Sequence, residues 1–115
     1  MTNIIARFWV SLVMGILVWV PVLALAAAMP EYTLVIKDHH FEPASLKIAA
    51  NTKVKVIIDN QDASAEEFES AALKREKLIK GGKKATILLG PLAPGTYAYT
   101  GEFHQETARG EIIAQ

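Results

Sequence analysis

The stretch that decides the fold is Pro94-Gly95-Thr96-Tyr97-Ala98-Tyr99-Thr100-Gly101-Glu102-Phe103-His104. It opens on a Pro-Gly turn, after which Tyr97 and Tyr99 alternate with small residues, as in a strand with one buried face. The strand leads into a carboxylate and an imidazole, Glu102 and His104. Histidine is the commonest protein metal ligand. His104 is therefore a candidate ligand at the tip of a small β-domain, although a solvated loop histidine fits the same pattern.

Short strand-like segments recur on both sides of this stretch. Each is rich in β-branched residues or alternates apolar with polar residues, and Gly, Pro, Asn or Asp separates it from the next. The segments are 31–37, 44–48, 53–59, 66–70, 78–80, 83–89 and 108–114. This regular spacing predicts an all-β fold, an antiparallel β-sandwich of seven or eight strands. Residues 71–77 have helical propensity, and we predict a short helical turn or an irregular link there.

The alternation also predicts which side chains form the core. They are Leu34, Ile36, Leu46, Ile48, Val56, Ile58, Phe68, Ile87, Leu89, Tyr97, Tyr99 and Ile112.

The N-terminus has the pattern of a secretory signal peptide. A short positive region ending at Arg7 precedes an almost wholly apolar run, and small residues then crowd together. We predict a signal peptide over residues 1–26, with cleavage after Ala26 or alternatively after Ala28, and one domain over residues 27–115. The apolar run is just long enough to span a bilayer, so an uncleaved membrane anchor is the alternative.

Composition narrows the class of protein further. The formal net charge is zero, so the chain lacks the excess of positive charge that is typical of nucleic-acid-binding domains. There is no cysteine, so an exported domain of this size must rely on its β core, helped by any metal that selects the folded state.

Motifs along nearly the whole predicted domain together resemble a cupredoxin. Their order and spacing carry the resemblance, which implies a Greek-key β-sandwich. The motifs are Phe41-x-Pro43-x-x-Leu46-x-Ile48, Val56-x-x-Asp59-Asn60-x-Asp62, Glu66-Glu67-Phe68, Leu92-x-Pro94-Gly95-x-Tyr97-x-Tyr99, His104 and Gly110-Glu111-Ile112.

The chain departs from the blue-copper pattern at three ligand positions. Where blue-copper cupredoxins have a first His, this chain has Glu66, and where they have a Cys, three residues before the second His, it has Gly101. Their Met ligand falls among residues 106–108, which are Glu-Thr-Ala here. Only the second His remains, as His104. Because the thiolate defines the blue site, these departures argue against electron transfer of the plastocyanin or azurin kind.

The acidic replacements resemble a carboxylate-rich subgroup of cupredoxin-like domains found with bacterial iron-permease uptake systems. The resembling pieces are Glu66-Glu67-Phe68-Glu69-Ser70, Arg75-Glu76-Lys77, Gly101-Glu102-Phe103-His104 and Thr107-Ala108-x-Gly110. This resemblance implies a periplasmic protein that binds copper or iron. It would support ferrous iron oxidation, or delivery to an inner-membrane iron permease and other periplasmic iron-uptake proteins.

The resemblance also implies that three loops converge at one end of the sandwich. The candidate metal ligands there are His104, Glu102, Glu66, Glu67 and His39. Carboxylate and imidazole suit Fe(III), Fe(II) and Cu(II) better than Cu(I). Two alternatives stay open for Glu67 and His39. Glu67 could belong to a solvated acidic edge, and His39, like His40, could be polar loop surface.

Three functions remain open on the sequence alone. The first is a metal-binding accessory of iron uptake, and the second is a ferroxidase in its own right. The third is a metal-free β-sandwich that acts as an adaptor or interaction module in the periplasm.

Overall fold

The computed structural model describes residues 14–21 and 28–115. Residues 14–21 form neither helix nor strand. The rest of the predicted signal peptide, and with it the cleavage site after Ala26, lies outside the described residues. Among the described residues, no helix is long and apolar enough to cross a bilayer.

The described domain is all-β, as the sequence predicts, with nine strands and one short 3-10 turn. The strands are β1 (Glu31–Lys37), β2 (His40–Glu42), β3 (Ser45–Ile48), β4 (Val54–Asn60), β5 (Glu66–Ser70), β6 (Arg75–Ile79), β7 (Lys84–Leu89), β8 (Gly95–Gly101) and β9 (Arg109–Ala114). The 3-10 turn, Glu102–His104, follows β8 directly. It delivers His104 to one end of the sandwich.

The strands form two sheets that pack face to face. One has the order β2-β1-β4-β7, and the other has the order β3-β9-β8-β5-β6. Both are mixed and not purely antiparallel, since β1 pairs parallel with β4 and β3 pairs parallel with β9. The chain visits the second sheet at β3 between β1 and β4. This crossover brings β4 back beside β1 in the same direction.

The segment after β5 differs from the sequence prediction. Residues 71–74 form a turn and Arg75–Ile79 form β6, so strand structure begins within the predicted helical or irregular link. Its pairing with β5, from Glu66 opposite Ile79 to Ser70 opposite Arg75, outweighs the local helical propensity. β6 is an edge strand in which only Ile79 is buried, which explains why its sequence lacks an alternating pattern.

The predicted core residues are buried except Tyr97, which is half-buried. The structure adds Phe41, whose ring meets Tyr99 edge-on at 4.9 Å between centroids. Phe68 lies against the same tyrosine at 4.8 Å. This aromatic cluster joins the two sheets, because Phe41 belongs to β2 whereas Phe68 and Tyr99 belong to β5 and β8.

The Tyr99 hydroxyl ends against Gly110, where a Cβ would collide with it. Burial, followed by the charge of Glu111, raises the pKa of Tyr99. Tyr99 is thus a neutral core residue.

Candidate metal centre

His104 is held by a backbone network at the end of β8. The Ala108 N–H donates to the His104 carbonyl at 2.8 Å, and the Gly101 N–H donates to the Ala108 carbonyl at 2.7 Å. The loop therefore closes on itself around the 3-10 turn. The His104 side chain is 25% exposed, so one part of the ring is reachable from solvent while the other faces the protein.

The buried side of His104 meets the carboxylate of Glu66. Glu66 is 1% exposed and begins β5 on the inner face of the sheet. Its Oε1 accepts the N–H groups of Glu67 at 3.0 Å and Phe103 at 2.9 Å. Its Oε2 lies 2.5 Å from Nδ1 of His104. Each carboxylate oxygen thus has a hydrogen-bond donor, which is what permits a carboxylate to be buried.

This contact defines the tautomer of His104. An ionised carboxylate only accepts hydrogen bonds, so Nδ1 carries the proton that Glu66 accepts. In neutral His104 the lone pair is then on Nε2. A histidine that donates one ring N–H to a carboxylate and offers the other nitrogen is the usual arrangement of a metal-binding imidazole.

His39 covers one face of the same ring. The two imidazoles stack with centroids 3.5 Å apart and planes 13° from parallel. Nε2 of His39 is 3.4 Å from the Ser64 hydroxyl. Ring-nitrogen lone pairs lie in the ring planes, so those of two parallel rings do not meet at one point. One ring must turn before both can bind the same ion.

The backbone of His39 is held by Asp62, in the loop between β4 and β5. Oδ1 of Asp62 accepts the Asp38 N–H at 2.8 Å, and Oδ2 accepts the His39 N–H at 3.0 Å. Burial, the largest contribution, raises the pKa of Asp62. The two backbone hydrogen bonds, aided by the charges of His39 and His104, outweigh it and bring that pKa below the ordinary value of 3.8. The sequence indicates Asp62 only as part of the resemblance to cupredoxins and does not predict these bonds to the turn that holds His39.

His39, His104 and Asp62 line an open groove at one end of the sandwich. Its walls are Asp38, His39, Asp62, Ala63, Ser64 and His104. His40, next in sequence to His39, is exposed and turns its Nδ1 to the Asp38 carbonyl at 2.8 Å.

Two of the five predicted ligands lie elsewhere. Glu67 projects from the outer face of β5, opposite to Glu66 and Phe68, as the alternation predicts. Glu102 lines a separate surface cavity with Glu69. The structure therefore brings together His39, Glu66 and His104. Among residues 14–21 and 28–115 there is no group of three or more His, Cys, Asp or Glu side chains arranged to hold a metal ion.

Glu69 and Glu102 form an acidic pair on that outer face. A hydrogen bond with Glu102, and then the charge of Glu102, raises the pKa of Glu69 to about 7. Smaller contributions come from desolvation and from the charges of Glu76 and Glu67.

The residues present do not fit a thiolate copper site. The chain has no cysteine. At Gly101, where the resemblance implies the Cys, an added Cβ would lie 2.6 Å from Cδ of Glu66 and 2.6 Å from Cβ of Ala108. The buried carboxylate thus fills the space that a side chain at position 101 would need. Two imidazoles remain as the donors that suit Cu(II) or iron.

Comparison with known proteins places the chain in a family. Residues 10–114 match the model of the cupredoxin-like domain. A protein of Rickettsia prowazekii (strain Madrid E) is 46% identical over 83 residues, which is 72% of this chain. The match spans 66% of that relative's length.

Solved structures share the fold at low sequence identity. Auracyanin A, a blue copper protein of Chloroflexus aurantiacus, superposes with a TM-score of 0.63 at 15% identity, over 76% of this chain and 100% of its own. The metal-binding domain of a Cu(I)-exporting P-type ATPase of Streptococcus pneumoniae gives 0.62 at 11% identity, over 74% of this chain and 84% of its own. A variant of amicyanin in its reduced Cu(I) form gives a TM-score of 0.61 at 17% identity, over 76% of this chain and 85% of its own. With the family model matching most of the sequence, the chain belongs to the cupredoxin-like domain family.

Proposed function

We propose that this chain is an exported, periplasmic protein that binds a transition metal ion through the imidazoles of His39 and His104. Cu(II) is the ion that we expect to bind most tightly, and iron is the other candidate. The finer role is support of ferrous iron oxidation, or delivery of iron to an inner-membrane iron permease. That role rests on the resemblance of the acidic segments to domains of iron-uptake systems.

The contact between Glu66 and His104 is the observation that carries the proposal. A buried carboxylate 2.5 Å from Nδ1 fixes the ring and leaves Nε2 as the nitrogen with a lone pair. His39 brings a second imidazole to the same groove. Imidazole nitrogens favour Cu(II) among the divalent first-row ions.

Glu66 acts in this proposal as the residue that orients His104. Both of its oxygens already accept hydrogen bonds. Binding a metal directly through Glu66 would forfeit some of these bonds, and a backbone N–H such as that of Phe103 would be left without a partner. We assign Glu67 and Glu102 to the acidic outer surface, because neither lines the groove of His39 and His104.

Calorimetric titration of the mature protein with Cu(II) at pH 7 tests the proposal. We expect His104→Ala to weaken binding at least about tenfold, which corresponds to about 1.4 kcal/mol. His39→Asn should also weaken it. His39 has a left-handed backbone with φ of 57°, which Asn adopts at little cost. His40→Ala is the matched control, because it removes a neighbouring exposed imidazole outside the groove. Equal affinities for His104→Ala and the parent protein would contradict the assignment.

Oxygen consumption driven by Fe(II) tests the iron role separately. If the bound copper supports ferrous oxidation, the copper-loaded protein should consume oxygen with Fe(II) faster than the metal-free protein. The His104→Ala variant should lose this difference. Identical rates with and without copper would contradict an oxidase role and leave iron delivery as the proposal.

A metal-free interaction module is the second candidate function. It is favoured by the closed state of the cluster, in which Glu66 already has its donors and the two imidazoles already stack on each other. In that case His39, His104 and Glu66 would stabilise the loops at this end of the sandwich by contacts with one another, without a metal. Absence of any Cu(II) or iron binding in the titration would favour it.

A further inference from the structure

The turn between β1 and β2 has an unusual backbone. Asp38 and His39 both adopt left-handed conformations, with φ of 51° and 57°. Left-handed backbone is uncommon for residues other than glycine, and two such residues in succession need the surrounding structure to hold them. Two neighbouring N–H groups in a turn of this kind can form a concave site for an anion.

The carboxylate of Asp62 is the anion in this turn. One oxygen accepts the N–H of Asp38 at 2.8 Å, and the other accepts the N–H of His39 at 3.0 Å. These bonds span 24 and 23 residues of sequence, so the turn is fixed to a distant loop and not only by its own residues.

Asp62 is itself anchored independently of the turn. Its N–H donates to Oδ1 of Asn60 at 3.1 Å, and its carbonyl accepts the N–H of Gly82 at 2.8 Å. Asn60 is fully buried, and its Nδ2 donates to the Ile79 carbonyl at 3.1 Å. The backbone of Asp62 is thus tied to the buried Asn60 and to Gly82 by bonds that do not involve the turn.

We propose that Asp62 is a positioning residue, which holds the Asp38–His39 turn so that the ring of His39 lies on the ring of His104 in one groove. Since the carboxylate fixes the backbone of His39, the ring can turn toward a metal by side-chain rotation alone. Part of the inference rests on the proposed function, namely that the occupant of the groove is a metal ion. The placement of the ring does not depend on that.

Proton NMR of the metal-free protein tests the placement. In the parent protein we expect cross-peaks between the ring protons of His39 and His104, and upfield ring-current shifts for both. Asp62→Ala should lose both the cross-peaks and the upfield shifts. Asp62→Asn, whose single side-chain oxygen can accept only part of this pair of N–H groups, should show intermediate shifts. The matched control is Asp59→Asn, which removes one carboxylate from the end of β4, where the side chain meets Gln61 and not the turn.

Cu(II) titration of the same variants tests the consequence for binding. Partners that orient a metal ligand typically change affinity 10- to 100-fold, so Asp62→Ala should bind Cu(II) at least about tenfold more weakly. Asp59→Asn should match the parent protein. If Asp62→Ala does not fold, Asp62→Asn, which keeps the shape of the side chain, carries both tests.

The outcomes separate the two proposals. A parent protein that binds no Cu(II) contradicts the proposed function, while the ring contacts still decide the role of Asp62. Retained ring contacts in a folded Asp62→Ala variant overturn the positioning role. Lost ring contacts together with a parent-like Cu(II) affinity in that variant overturn the claim that this placement serves metal binding.

Discussion

Strand β5 carries carboxylates on both faces, and the two faces place them in opposite environments. On the inner face, Glu66 is buried and accepts hydrogen bonds from two backbone N–H groups and from His104. On the outer face, Glu69 lies beside Glu102, whose hydrogen bond and charge raise the pKa of Glu69 to about 7. The inner face of the strand thus holds a buried, hydrogen-bonded carboxylate, and the outer face holds a carboxylate that forms a repelling pair with Glu102 of the 3-10 turn.

The comparison shows which carboxylate matters for the site. Acidic residues mostly lie on the surface, so a run such as Glu66-Glu67-Phe68-Glu69 does not by itself distinguish a site from a solvated edge. The hydrogen-bond donors around each carboxylate distinguish a site from a solvated edge. Both oxygens of Glu66 accept hydrogen bonds, one of them from the imidazole of His104. Glu69 instead lies beside Glu102, which disfavours the ionised form of Glu69.

Removing the inner carboxylate should have the largest effect on stability. Glu66→Ala leaves the backbone N–H groups of Glu67 and Phe103 and the ring Nδ1–H of His104 without their acceptor, and it opens a void. We therefore expect a loss of about 3 kcal/mol, the order found when one partner of a buried pair is removed. Glu67→Ala, one position along and on the outer face, should cost less than about 0.5 kcal/mol. Urea unfolding at pH 7 measures both. Equal losses would remove the distinction between the faces.

Filling the space at Gly101 should have the next largest effect. A Cβ there would lie 2.6 Å from Cδ of Glu66, so Gly101→Ala must displace the carboxylate or the loop around Ala108. We expect a loss of about 1–3 kcal/mol, as for other overpacked cores. Gly95→Ala in the same strand is the control, because the nearest atom to its Cβ would be 3.8 Å away. Thermal unfolding in which both variants match the parent protein would contradict the tight packing.

The carboxylate of Asp62 should give a smaller effect that depends on pH. Its folded pKa lies below the ordinary 3.8, so its ionised form contributes stability above about pH 4. That contribution is lost as pH falls through the lower, folded pKa. The stability gap between the parent protein and Asp62→Asn, about 1–2 kcal/mol for hydrogen bonds to a charged group, should therefore be full at pH 6 and shrink toward pH 3. A stability difference between the two proteins that does not change with pH would contradict a role for the ionised carboxylate of Asp62.

The acidic pair on the outer face should give the smallest effect, with the opposite dependence on pH. The folded pKa of Glu69 is raised from 4.5 to about 7, so any stability linked to its protonation is present below pH 4.5 and lost as pH rises through 7. Glu102→Gln removes the neighbouring charge. The variant should unfold at a slightly higher temperature than the parent protein at pH 8 and at the same temperature at pH 4. If Glu102→Gln were more stable than the parent protein at pH 4 but not at pH 8, repulsion between Glu69 and Glu102 would be contradicted.

The sequence predicts most of this fold because the strands alternate clearly. Leu34 and Ile36, or Val56 and Ile58, leave little doubt about which face of a strand is buried. The first part of β6, residues 75–77, was missed because an edge strand exposed on both faces has no alternation, and these residues favour a helix by composition. The parallel pairings were missed because period-two patterns contain no information on which strands become neighbours.

The candidate site was predictable only in part. His104 and Glu66 follow from their place in the resemblance to cupredoxins, but the burial of Glu66 depends on donors that the fold brings from Phe103 and His104. The 3-10 turn separates Glu102 from His104, although alternation in an extended strand would have put them on one face. The bonds of Asp62 to a turn 23 and 24 residues earlier leave no local pattern to detect.

Electron paramagnetic resonance of the Cu(II)-loaded protein tests the central claim most directly. Two imidazole ligands should give hyperfine structure from two nitrogens, reduced to one in His104→Ala and unchanged in His40→Ala. The sample should lack the intense visible band of thiolate-bound copper, since the chain has no cysteine. A nitrogen hyperfine pattern identical in His104→Ala and the parent protein would show that copper binds elsewhere, and would contradict the pairing of His39 and His104 as the metal centre.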